Sequence, residues 1–198
     1  MGSTARSNVT KLKRRLLAAA RRFHRDRRGA SAIEFVLIFP IMVILLAGTV
    51  DLSQALLASR KMNQLTATIG DMISQKSNWT TADVGAIMAG ASTIIEPFNS
   101  DNLTIQLAVV DVGPDLTAKV NWSQAFKTKL LQKGAESPVA IPVSIAENGV
   151  QLITVNATFL LTTPFSSLLK PITGVATYSY NRNYIMRPRI KDSVTLKN

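Results

Sequence analysis

The sequence predicts an α+β protein: one long N-terminal helix, a second short helix, and a mostly antiparallel sheet of about four strands. A change of period carries that reading. Apolar residues recur at three- and four-residue steps as far as Ile95, and from Leu103 the step becomes two. A second observation is that the helical part opens with sixteen uncharged residues, Phe35–Val50, dominated by Ile, Leu, Val and Phe. Helices grouped before strands, rather than alternating with them, point to segregated layers.

The first helix is expected from about Ser31 to Gln75, and its two halves differ in chemistry. Residues 30–50 are 21 in number, which at the helical rise gives ~31 Å, close to the ~30 Å thickness of a bilayer's hydrocarbon core. That half is read as a transmembrane helix that spans once. Pro40 lies inside it, lacks an N–H and should kink it; a membrane setting tolerates such a break. Past Val50 the residues Leu52, Ala55, Leu56, Ser59, Met62, Leu65, Ile69, Met72 and Ile73 keep helical spacing, so 51–76 is read as an amphipathic continuation. Gly70 should weaken its far end.

Charge is concentrated before the span. Residues 1–28 hold ten Lys and Arg against Asp26, a net +9 of the chain's +11. Residues 1–29 are therefore read as a basic leader, in which Lys11–Arg28 could form a basic amphipathic helix. Positive residues beside a first span hold that flank in the cytoplasm, and the chain after Val50 is expected on the other side. The near-neutral remainder and the absence of an aromatic-interleaved basic platform argue against nucleic acid as a partner. The leader's natural counterpart is an anionic lipid membrane.

Residues 77–198 are read as the extracytoplasmic α+β domain. Thr80 or Thr81, with Asp83 in the first turn, caps the second helix, whose stripe is Val84, Ile87, Met88, Ala91, Ile94 and Ile95, and Pro97 ends it. Leu103, Ile105, Leu107 and Val109 alternate with polar or small residues as a strand. After a turn at Gly113-Pro114-Asp115, Ala118, Val120 and Trp122 form its hairpin partner. A short helix is expected within Gln124–Lys133, followed by a long connection marked by Pro138, Pro142 and Asn148-Gly149. Ile153, Val155, Ala157 and Phe159 make a further strand, and after Pro164 and Pro171 a Tyr-rich strand runs from Val175 to Ile185.

The one charge between Ala30 and Val50 is Glu34, and an ionisable residue inside a span calls for a partner. Cleavage after Gly29 would supply one. Ala30 would become the first residue, and its α-ammonium would lie one helical turn from the carboxylate, since residues at i and i+4 face each other. Gly29-Ala-Ser-Ala-Ile-Glu-Phe-Val-Leu-Ile-Phe-Pro40 and the following Leu-Leu-Ala-Gly-Thr-Val-Asp-Leu resemble the TadE-like proteins of the tight-adherence (Flp) pilus system. Asp71-Met-Ile-Ser-Gln75, Val120-Asn-Trp-Ser123 and Phe159-Leu-Leu-Thr-Thr-Pro164-Phe continue the resemblance more weakly. It implies a minor pilin-like subunit of the bacterial inner membrane, processed at Gly29 and Ala30 by a prepilin peptidase and partnered by other pilus assembly subunits. Glu34 would serve assembly. The domain after the span would be periplasmic or extracellular.

Two other classes compete. An uncleaved, single-pass scaffold or binding protein would need no junction at Gly29. A membrane-tethered enzyme would need a catalytic constellation, and the only histidine, His24, sits in the leader, while no nucleophile or carboxylate-pair motif stands out. Asp111 and Asp115 flank a turn and are read as turn residues rather than metal ligands. No cofactor is implied, and with no cysteine there is neither a disulfide framework nor a thiolate site. Trp79, Trp122 and the tyrosines Tyr178, Tyr180 and Tyr184 are read as packing residues of the sheet face.

Overall fold

The structure is a computed structural model, and it describes residues 28–197. The basic amphipathic helix expected over Lys11–Arg28 lies outside the described residues, apart from Arg28 itself. Helix α1 (Arg28–Ser74) carries Pro40 within it. By internal contacts the chain divides into residues 1–48 and residues 49–198, and the two are taken separately.

In the first unit every residue from Ser31 to Leu46 is exposed. Ile33, Phe35, Val36 and Leu37 are each more than 60% exposed, and the ring centroids of Phe35 and Phe39 stand 5.4 Å apart. α1 is long and apolar enough, from Ser31, to cross a membrane.

In the second unit the rest of α1 is part of a core. Ala58, Met62, Leu65, Ile69 and Ile73 are fully buried, at the steps of four and three that line one helix face. Burying a large aliphatic side chain contributes ~1.5–3 kcal/mol. The four large ones together amount to about 6–12 kcal/mol, comparable to the whole net stability of a typical domain. The stripe is not quite the one read from sequence. Leu52, Leu56 and Met72 are exposed, Ala55 is buried as expected, and Asp51 and Ala58 join the buried line.

Strand β1 (Asn78–Thr80) precedes helix α2 (Thr81–Ser92), with a 3₁₀ turn at Thr93–Ile95 before Pro97. The Thr80 hydroxyl accepts the Asp83 backbone N–H, so Thr80 is the cap. Val84, Met88, Ala91 and Ile95 are buried, with Ile87 and Ile94 half-buried beside them.

The main sheet is antiparallel, in the order β3-β2-β4-β5, from β2 (Leu103–Val112), β3 (Ala118–Phe126), β4 (Gln151–Leu161) and β5 (Tyr178–Met186). One face, with Leu103, Ile105, Leu107 and Val109 of β2, shares its cluster with α1 and α2. The other face, with Ala108, Val110 and Val112, packs with Ala146 and Ile141 of the long β3–β4 connection. That connection also screens the outer edge of β3, where Val120 N–H donates to Ala135 O and Ser137 N–H to Ala118 O.

Three expectations require correction. Gln124–Phe126 are strand, pairing Leu107, Gln106 and Ile105 of β2, and no helix forms through Lys133. Lys127 then takes a left-handed φ of 53°, which stops the strand. Val120 and Trp122 do not share a face: the register shifts at Val109/Val110, Asn121 is the extra residue of a bulge, and the two side chains fall in opposite clusters. The segment between Pro164 and the last strand folds as helix α3 (Ser166–Thr173), closed by Gly174 at φ +72°, whose N–H donates to Lys170 O. Its Pro171 lies within the helix. A further strand, β6 (Thr195–Lys197), pairs in parallel with β1.

Candidate functional site

Gly29 is the second residue of α1, exposed, with nothing beyond its chain neighbours and own helix backbone within 4 Å of where a Cβ would stand. Ala30 follows in the same helical turn, and Glu34, four residues on, is exposed. Pro40, also exposed, has no N–H to offer the Val36 carbonyl. The structure therefore brings Gly29, Ala30 and Glu34 onto the opening turns of one helix. The surrounding exposed surface is apolar, and Glu34 is the one charge set in it before Asp51.

Asp51 is the residue that sequence reasoning quoted without giving a role. It is 1% exposed. Thr163 Oγ1 donates to its Oδ2 at 2.6 Å, and Phe165 N–H donates to its Oδ1 at 3.2 Å. Ser166 Oγ donates to the Thr163 carbonyl at 2.9 Å and fixes the same turn. Among the described residues no cation pairs with Asp51. A buried carboxylate is costly unless donors meet it, and these donors tie α1, just past the apolar run, to the start of α3. The signal was available, because Asp51 lies on the same spacing as Ala55, Ala58 and Met62. Its partner lies 112 residues away, and no local pattern could supply that.

Further contacts hold α1 to β5. Tyr180 Oη donates to Ala55 O at 2.9 Å, and Arg182 donates to Ser59 Oγ at 2.8 Å. Burial raises the Tyr180 pKa above the usual phenol value. Gly70 lies against Tyr184: a Cβ there would stand 2.7 Å from the ring. The glycine that sequence reading took as a weak point packs directly against Tyr184 and Met186 of β5. At the end of α1, Arg189 pairs with Asp71 at 2.6 Å and its N–H donates to Ser74 O. The indole N–H groups of Trp79 and Trp122 donate to Ile73 O and Val194 O.

Asp111 accepts from Asn121 and Gln151. Asp115 accepts from the Thr117 hydroxyl and N–H, which lower its pKa. Both serve the hairpin. Among the described residues no group of three or more His, Asp or Glu side chains is placed to hold a metal ion.

The geometry defines a class: a protein with one exposed apolar helix of membrane length whose continuation is the core helix of an α+β domain. Residues 29–70 match the model of the TadE-like protein family, and the chain carries a TadE-like domain over that stretch. No curated protein and no solved structure matches the chain.

Proposed function

We propose that this protein is a minor pilin-like subunit of a Tad/Flp pilus system. It is held in the bacterial inner membrane by residues 30–50, with the leader cytoplasmic and the α+β domain periplasmic or extracellular. A prepilin peptidase cuts between Gly29 and Ala30, and Glu34 compensates the new α-ammonium, its own or that of a neighbouring subunit, in a low-dielectric setting. The observation that carries this reading is the extent of the family match, which opens at Gly29 and runs along α1 through the junction, the carboxylate and the apolar run. Its partners are the peptidase, lipid and other pilus assembly subunits, and its role is structural rather than catalytic.

Mass spectrometry of the mature N-terminus, from membranes and from sheared pili, tests it. Gly29→Leu should leave the 29-residue leader attached, because a bulky side chain replaces the small one at the junction. Glu34→Gln removes a charge whose cost in mid-membrane is ~2.5–3.5 kcal/mol, so membrane abundance should be kept while piliation or subunit capture is lost. If both variants match the parent in processing, capture and piliation, Gly29 and Glu34 do not serve as junction and assembly residues; a parent chain that keeps its leader is an uncleaved single-pass scaffold instead.

A further inference from the structure

The second unit carries an open apolar feature of its own. Phe165, Leu168, Ile172 and Val175 follow one another at steps of three and four, and they are 37%, 49%, 64% and 39% exposed. Ser166 and Leu169, on the other side of α3, are both 6% exposed and seat the helix on the domain. α3 is thus amphipathic in an unusual sense, with one apolar side buried in protein and a second open.

Three observations name what covers the open side. The first is position. Phe165 N–H and Thr163 Oγ1 are hydrogen-bonded to Asp51, and Asp51 follows the apolar run Phe35–Val50 directly, one ~1.5 Å helical step further on. The second is continuity, because Leu52 and Leu56 on α1 stay exposed at 60% and 54% past the end of the run. The third is charge. Between Glu147 and Asp192 the chain has no carboxylate, while Lys170 sits within α3 and makes no ion pair among the described residues. An interfacial helix buries its apolar side ~5–10 Å into the boundary between headgroups and acyl chains, with cationic side chains reaching lipid phosphate.

We propose that α3 is a membrane foot. Its Phe165–Val175 stripe lies in a lipid leaflet, and Lys170 meets the anionic headgroups. This inference rests on reading residues 30–50 as membrane-spanning, and its test keeps the two apart.

The chain has no cysteine, so single cysteines can be labelled without background. Full-length Leu168→Cys and Ile172→Cys are labelled with bimane and reconstituted into phosphatidylethanolamine–phosphatidylglycerol vesicles. Two controls accompany them: Val143→Cys, at a site 79% exposed in the β3–β4 connection, and Ile38→Cys within the span. Nitroxides on shallow acyl positions should quench the labels at 168 and 172 several-fold more than at 143, and aqueous iodide should quench them less. Lys170→Glu should reduce that lipid quenching in phosphatidylglycerol-containing vesicles. Iodide access equal to that at 143, with no lipid quenching, overturns the foot while quenching at 38 upholds the span. Loss of lipid quenching at 38 overturns both. A blue shift at 168 without lipid quenching assigns the face to a second copy or another subunit and also overturns the proposal.

Discussion

The two halves of α1 share one backbone conformation, yet their burial is opposite. Ser31–Leu46 are exposed throughout, whereas Ala58, Met62, Leu65, Ile69 and Ile73 are fully buried. What separates them is the pattern of polar residues. From Phe35 to Leu46 the first half has none on any side to mark an inner face. The second alternates Gln, Ser, Arg, Lys, Asn and Thr around a stripe that the sheet and α2 cover. Apolar content alone says that a helix avoids water, and the distribution of its polar residues says whether protein is the alternative.

The sharpest way to break that contrast is to remove the same side chain from each half. Leu65→Ala should cost ~2–5 kcal/mol through lost burial and the cavity left behind. Leu37→Ala should change domain stability by no more than about 0.5 kcal/mol. Near-ultraviolet circular dichroism of thermal unfolding, with the full chain in detergent, compares them. Equal effects would mean that the second half is not a core element.

Next in size is the contact of Asp51, within the second half. Thr163→Val keeps the shape of the side chain and strands one buried oxygen of Asp51, at a cost of ~1–3 kcal/mol. The same melts should show it. An unchanged melt would mean that water reaches Asp51 and that the turn is not a tie.

The glycines give a smaller and signed contrast. Gly70→Ala must displace the Tyr184 ring, an overpacking cost of ~1–3 kcal/mol offset by ~1 kcal/mol of helix propensity, for a net loss of about 1 kcal/mol. Gly48→Ala has open space around it and should be neutral or raise helicity. Reversal of that order would remove the close approach to β5.

The smallest expected effect is electrostatic and lies at the start of α2. The Thr80 hydroxyl, with the Lys76 ammonium 3.5 Å away, holds the Asp83 pKa below its ordinary value. A depressed carboxylate stabilises the fold at pH above its unfolded value of ~3.9, and the contribution is lost as pH falls through the folded value. Asp83→Asn should therefore slightly flatten the acid limb of the stability profile and leave its alkaline limb unchanged. Urea midpoints across the acid range would detect this.

Most of the architecture was legible because its signals are local and repeated. The helical steps of α1 and α2, the Thr80–Asp83 cap and the alternation in β2 and β4 all stand in the structure. The parts that were not legible depend on distant partners. Gln124–Phe126 have no strong strand pattern, and the β2 ladder recruits them. The bulge at Asn121 inverts the alternation that β3 shows in sequence. α3 is written in the stripe Phe165, Leu168, Leu169 and Ile172 with Gly174 behind it, but two prolines at 164 and 171 read as punctuation. β6 is three residues long and gains its identity only beside β1. At the candidate site Gly29, Ala30, Glu34 and Pro40 were singled out from the sequence, because a glycine, a charge and a proline stand out beside or within an apolar run, and their roles belong to the proposal. Asp51 was not, since a carboxylate after a span is unremarkable until Thr163 is seen against it.

The contact of Trp122 with Val194 bears on the order in which the protein can mature. Val194 is 1% exposed, lies in the same cluster as Ala58 and Leu65, and also receives the Gln151 side chain at its N–H. A cluster built from residue 58 and residue 194 cannot close until both have been synthesised. Until then the apolar stripe of α1 must wait, uncovered, while more than a hundred further residues are added. Sequence separations of this kind slow folding.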